Sequence, residues 1–134
     1  MSGDSTVFEQ VGGMKTFEAL VAAFYEGVAE DEVLRPMYPA DLEEPRRHLA
    51  LFLAQYFGGP GTYSEERGHP RLRMRHVPFT IGRDERERWL KHMLGAVDRV
   101  AIAEPARGVM VNYFNATATG LMNVPTFANV TPLT

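Results

Sequence analysis

"RGHPRLRMRHVPF" (Arg67–Phe79) sets four arginines and two histidines into its first ten residues. Such a run reads as a nucleic-acid footprint, a solvated surface, or the frame around one histidine. A nucleic-acid footprint calls for aromatic rings between the charges or a recognition helix beside them. Only Leu72 and Met74 interrupt the arginines here. On a helix, Leu72 and His76 are four residues apart and share a face, while Arg71, Arg73 and Arg75 fall away from it. The run can therefore turn one apolar edge with an imidazole inward and leave its guanidinium groups in water. A net charge of −3 over the chain also argues against a general nucleic-acid binder.

Outward from this run the punctuation is helical. A short helix is expected from Thr6 to Val11, ended by Gly12-Gly13. "KTFEALVAAFYEGVAED" places Phe17, Leu20, Val21, Phe24, Tyr25 and Val28 on one apolar face. "DEVL" adds one turn, and "RPMYP" then predicts an extended exit, because proline disfavours helix in the residue before it. "EEPRRHLALFLAQYFGG" is the next helix, with Pro45 in its first turn and Leu49, Phe52, Leu53, Tyr56 and Phe57 inward. Gly58-Gly59-Pro60 stops it. Gly61 to Pro78 shows only a short helical patch. "RDERERWLKHMLGAVDRVAI" returns to a long helix with Trp89, Leu90, Met93, Leu94, Val97 and Val100 inward. Pro105 opens the last helix, whose shared face is Val109, Met110, Tyr113, Phe114, Thr117 and Leu121. No pair of alternating strands appears. The fold class is all-α, in one domain over residues 1–134 with irregular ends at 1–5 and 125–134.

Several chemistries are excluded. The chain has no cysteine, so disulfides, thiolate metal sites and cysteine nucleophiles are absent. "MSGDSTVFEQ" lacks the basic start and apolar core of a signal peptide. No apolar run approaches the ~20 residues of a membrane span. A cytoplasmic location is expected. No "HExxH" or paired-carboxylate spacing offers a metal held by protein alone. His48 and His92, inside long helices beside polar residues, read as surface groups. His69, before Pro70, reads as a turn residue. His76 differs, because Val77-Pro78-Phe79 follow it and set it among apolar groups at a helix end. One histidine cannot hold a bare metal tightly, but it can hold an iron already chelated by a porphyrin. Tyr25, Tyr38 and Trp89 each carry an apolar body and a polar tip. Singly, each reads as core packing.

These residues together resemble the truncated haemoglobins, specifically the bacterial group II type. The resemblance rests on "VGGMKTFEALVAAFYEGVAEDEVLRPMYP", "LFLAQYFGGPGTYSEERGHPRLRMRHVPF" and "RERWLKHM". It runs from about Phe8 to Val100 and continues at helix level to Val124. It implies a two-over-two helical sandwich around haem b. Gly12-Gly13 and Gly58-Gly59 match helix-ending glycines. His76 matches the proximal histidine, the protein's single bond to iron. Tyr25 and Tyr38 match the distal tyrosines, and Trp89 the distal tryptophan of this group. Leu49, Phe52 and Leu53 match distal-side wall positions, Leu72 and Phe79 proximal contacts, and Met93 a further haem contact. Arg75 matches a propionate partner, with Tyr63 and His48 as weaker matches.

The function so implied is reversible binding of O2, and of NO and CO, at a haem iron. The same site would also suit a peroxidase, or a nitric-oxide dioxygenase served by an external reductase. A homodimer is a further partner the resemblance allows; nucleic acid is not. The chain departs from the family pattern at Pro45, where a small residue is usual, and in "PADLEE", which is one residue shorter. "YFNATATGLMNV" is richer in Thr and Gly than the family's last helix.

Overall fold

The chain enters its first helix, α1 (Val7–Val11), through Thr6. The Thr6 hydroxyl accepts from the Glu9 N–H, and the Glu9 carboxylate takes the Thr6 N–H, both at 3.1 Å. This reciprocal cap satisfies two N–H groups that the helix itself cannot. Gly12, at φ 106°, ends the helix in the left-handed conformation that glycine adopts without steric cost. The computed structural model describes residues 5–124. Of the irregular ends expected at 1–5 and 125–134, residues 1–4 and 125–134 lie outside the described residues.

Four longer helices follow: α2 (Met14–Ala29), α3 (Glu43–Tyr56), α6 (Arg83–Arg99) and α7 (Ala106–Gly120). The short α4 (Thr62–Arg67) and α5 (Leu72–His76) lie between α3 and α6. Helix α2 packs against both α3 and α6, and α6 packs against α7. The pair α2/α3 thus lies over the pair α6/α7, with the core between them. Phe17, Leu20, Val21, Phe24 and Val28 on α2 are fully buried at the expected three- and four-residue spacing. Met93 and Val97 of α6 and Met110 and Phe114 of α7 meet them. Each such side chain contributes about 1.5–3 kcal/mol of burial. Among the described residues no strand forms.

Several details differ from the sequence expectation. Arg35–Met37 is a turn of 3-10 helix with Pro36 inside it, so the extended exit starts only at Tyr38. Proline early in a helical turn lacks only an N–H that would be unpaired anyway. Gly61–Pro78 holds two short helices rather than one patch. On α3 the sealed positions are Ala50, Leu53 and Ala54, while Tyr56 is 55% exposed. Small alanines add little to an apolar pattern. Val109 is also exposed, although it was expected inward.

His92 is not a surface group. Its Nε2 donates to Asp31 Oδ2 at 2.7 Å across the contact between α6 and the end of α2. Asp31 Oδ1 accepts from the Val33 and Leu34 N–H groups and from Arg88. Burial of the Asp31 carboxyl works against its charge. The bonds from His92, the two N–H groups and Arg88 outweigh that and hold it well below the usual carboxylate range. A Cβ on Gly27 would overlap the His92 ring, so glycine is what permits this approach. The cluster ties the segment leading to Tyr38 onto the helix that carries Trp89.

Candidate functional site

One cavity of about 370 Å³ opens between α3, α5, α6, α7 and the segment after α2. His76 and Phe79 line it, together with Tyr38 and Trp89. Leu34, Met37, Ile81 and Leu121 add apolar wall. His48, Arg67 and Arg86 bring nitrogen-bearing groups to the same cavity.

The last turn of α5 fixes the His76 ring. Its Nδ1 lies 2.6 Å from the Leu72 carbonyl oxygen. A carbonyl only accepts, so Nδ1 carries the proton and Nε2 keeps a free lone pair. Leu72 therefore acts through its backbone, one turn before the histidine it orients. The chain after His76 is tied to the end of α7 by Asn123. The Asn123 amide nitrogen donates to the Phe79 carbonyl at 2.7 Å, and its Oδ1 accepts from the Ile81 N–H at 2.8 Å. Its backbone N–H bonds the Ile81 carbonyl at 2.9 Å. The sequence offered one signal for Asn123, an amide just beyond a helix end, and that signal is too common to single it out.

At the Tyr38 and Trp89 wall, Tyr25 stands edge-on to Tyr38 with ring centroids 5.5 Å apart, and Phe24 packs against Trp89 at 5.4 Å. Burial, with Tyr38 beside it, pushes the Tyr25 phenol far above its ordinary value. Burial alone pushes Tyr38 up to about 12. Both therefore stay protonated and can donate at any physiological pH. Every side-chain nitrogen or oxygen sealed from solvent has a partner among the described residues.

The remaining residues singled out from the sequence fall into three places. Leu53 and Met93 are sealed in the core cluster, and Leu49 and Phe52 pack half-buried against it. Tyr63 is buried edge-on to Phe52 at 5.4 Å, under the Arg67 guanidinium. None of these lines the cavity, nor does Tyr25, which backs Tyr38. Arg75 is turned away: its Nε donates to the Pro70 carbonyl at 2.7 Å, closing the turn before α5. Arg67 and Arg86 line the cavity instead, and no pattern in the sequence marks either. Arg67 Nη1 lies 2.9 Å from His48 Nδ1. Burial, then the charge of Arg67, holds His48 below its usual value, so its ring is neutral near pH 7. Arg86 is steadied by a 2.9 Å bond from its Nε to Thr119. His69 accepts from the Arg71 N–H and is the turn residue expected.

The bacterial-like globin family model matches residues 6–123. The group 2 truncated hemoglobin YjbI of Bacillus subtilis is 40% identical over 111 residues, 83% of this chain and 84% of that protein. The chain belongs to the group II truncated haemoglobins. A hemoglobin structure from Chloroflexus aurantiacus matches this truncated haemoglobin with a TM-score of 0.89 and 55% identity, over 90% of this chain and 100% of that one. The group II truncated hemoglobin of Bacillus anthracis matches with a TM-score of 0.88 and 40% identity, over 91% and 94%. The helix pairs described above are the two-over-two globin fold of these neighbours.

Membership of a globin family implies haem binding, and the residues present fit that group. His76 lines an apolar cavity with its Nδ1 taken by the Leu72 carbonyl and its Nε2 left without a partner among the described residues, and Arg67 and Arg86 bring cations to the same lining. Among the described residues no cluster of three His, Asp or Glu could hold a metal without a porphyrin. No helix among them is long and apolar enough to cross a membrane.

Proposed function

We propose that this truncated haemoglobin reversibly binds O2, and also NO and CO, at a b-type haem seated on His76. The observation that carries the reading is His76 itself, with Nδ1 committed to Leu72 and Nε2 free in a cavity shared with Trp89 and Tyr38. When bound, haem supplies a ferrous iron that takes up a diatomic gas and polarises it. The Leu72 carbonyl raises the basicity of the His76 ring and fixes its orientation. Trp89 Nε1 and Tyr38 Oη are the donors for the ligand's negative end, and Tyr25 acts from behind by packing edge-on against Tyr38. Arg67 and Arg86 hold the carboxylates, with neutral His48 accepting from Arg67. Arg75 keeps the turn before α5 closed. Phe79, Leu34, Met37 and Ile81 keep water out. Pro45, on the same cavity, stiffens the first turn of α3 beside the opening. A cytoplasmic location and an external reductase complete the reading.

A hydrogen bond to a charged partner contributes about 1.5–3 kcal/mol. Trp89→Phe should therefore speed O2 dissociation roughly ten- to hundredfold. Stopped-flow measurement of O2 release checks this, and an unchanged rate removes Trp89 from the role.

A further inference from the structure

Among the described residues, Asp31 is the one charged residue sealed in the core. Burying a carboxylate costs free energy, and a well-packed apolar pair often serves stability equally well. What the buried cluster supplies is geometry. Asp31 Oδ2 accepts from His92 Nε2 at 2.7 Å, and Oδ1 from Arg88 Nη1 at 3.1 Å. Arg88 directly precedes Trp89 on α6, and His92 follows it by three residues. Oδ1 also accepts from the Val33 and Leu34 N–H groups at 2.9 and 3.0 Å, and the Asp31 carbonyl accepts from the Arg35 N–H at 2.8 Å. Arg35 extends the order onward: its guanidinium donates to the carbonyls of Tyr38, Pro39 and Ala40 at 3.3, 3.0 and 2.8 Å. One carboxylate thus holds the turn of α6 that carries Trp89 and the start of the segment that carries Tyr38.

We propose that Asp31, braced by His92, is a positioning residue that sets the spacing of the Trp89 and Tyr38 donors, and through it the preference of the pocket for polarised O2 over CO. The inference rests on the haem reading above. Asp31 does not line the cavity, so it acts only through the two side chains in front of it. A hydrogen bond weakens steeply as it bends away from its donor's axis. A small loss of alignment at Trp89 or Tyr38 therefore weakens the hold on O2, whose outer atom is partly negative when bound. Bound CO carries less charge there and gains less from the same donors. Releasing Asp31 should lower this selectivity rather than speed the loss of every ligand alike. The exposed pair Arg99–Glu26 at 2.7 Å also joins α6 to α2, and it supplies a control away from the pocket.

The test starts on the full chain without haem. Trp89 is the single tryptophan, so acrylamide quenching of its fluorescence reports this site alone. Asp31→Asn keeps an oxygen for the Val33 and Leu34 N–H groups but turns an N–H toward His92. His92→Leu removes the donor, and His92→Gln restores one. Quenching should rise in Asp31→Asn and His92→Leu and stay at the wild-type rate in His92→Gln and Arg99→Gln.

With haem bound, stopped-flow release of O2 should be severalfold faster in Asp31→Asn and His92→Leu, with CO release nearly unchanged. The infrared C–O stretch of their CO complexes should move to higher frequency, as donors withdraw from the ligand. His92→Gln and Arg99→Gln should match wild type in all three measurements. The two His92 variants carry the test alone if Asp31→Asn does not fold. Equal acceleration of O2 and CO release assigns the cluster to packing and overturns the inference. So do an unchanged O2 release in Asp31→Asn and His92→Leu, or equal rates in His92→Leu and His92→Gln. A wild-type chain that shows no Soret band after haem is added defeats the haem reading instead.

Discussion

Trp89 stands on a seventeen-residue helix packed along α2 and α7, whereas His76 ends a five-residue helix that fully buries no side chain. Around Trp89 the neighbours are sealed: Phe24, Met93 and Phe114 have no exposed surface. Around His76 they are wet: Met74 is 55% exposed and Val77 70%. The His76 wall is held by its own helical turn, by the Arg75 bond to Pro70 and by Asn123. The two sides of one cavity therefore differ in what fixes them, long-range packing on one and a few hydrogen bonds on the other. Local stability follows buried contacts, so the side carrying the proposed iron ligand is the easier to open. Fold and ligation should then be more easily separated by mutation on the His76 side than on the Trp89 side.

The largest effect is expected at the packed wall. Phe114→Ala should cost about 3–5 kcal/mol in chemical unfolding, since a fully buried ring leaves a cavity that the α6–α7 contact cannot close. A cost below about 1 kcal/mol would mean that this wall is not held by packing.

Next comes the cluster behind the same wall. Asp31→Ala strands His92 and the Val33 and Leu34 N–H groups, which should cost on the order of 3 kcal/mol. The sign with pH follows from the folded carboxyl being held below its unfolded value of about 3.9. Its contribution is complete above that pH and is lost as pH falls through the lower, folded value. Unfolding curves of wild type and Asp31→Ala should therefore converge as the medium is acidified below about pH 4. A gap that persists into strong acid would assign the loss to packing alone.

The smallest effect on stability is expected at Asn123. Asn123→Ala should cost about 1 kcal/mol or less globally, while amide exchange across residues 76–82 speeds up. A global loss as large as that of Phe114→Ala would erase the difference between the walls.

The long helices were legible because large apolar side chains recur every three or four residues along them. Ala50 and Ala54 escaped notice because a methyl group adds little to such a pattern, although both are sealed in the core. Tyr56 and Val109 look inward by spacing and stand outside, since an apolar stripe has edges that periodicity does not mark. His92 looked solvated among polar neighbours; its partner Asp31 is 61 residues away, a distance that no local reading spans. The short α4 and α5 are six and five residues long and separated by Gly68 and Pro70, too brief to show a period. His76 was legible through the family resemblance and through the apolar residues after it. Arg67 was hidden in the arginine run of residues 67–76, because charge alone does not show which of four arginines turns toward the cavity.

Titration of the purified chain with haemin, followed at the Soret band, tests His76 most directly. Wild type should saturate at one haem per chain with the spectrum of an imidazole-bound iron. His76→Gly should take up haem weakly, remain folded, and regain the wild-type spectrum when free imidazole is added. Stoichiometric haem in His76→Gly, with ligation unchanged and no response to imidazole, would contradict the account.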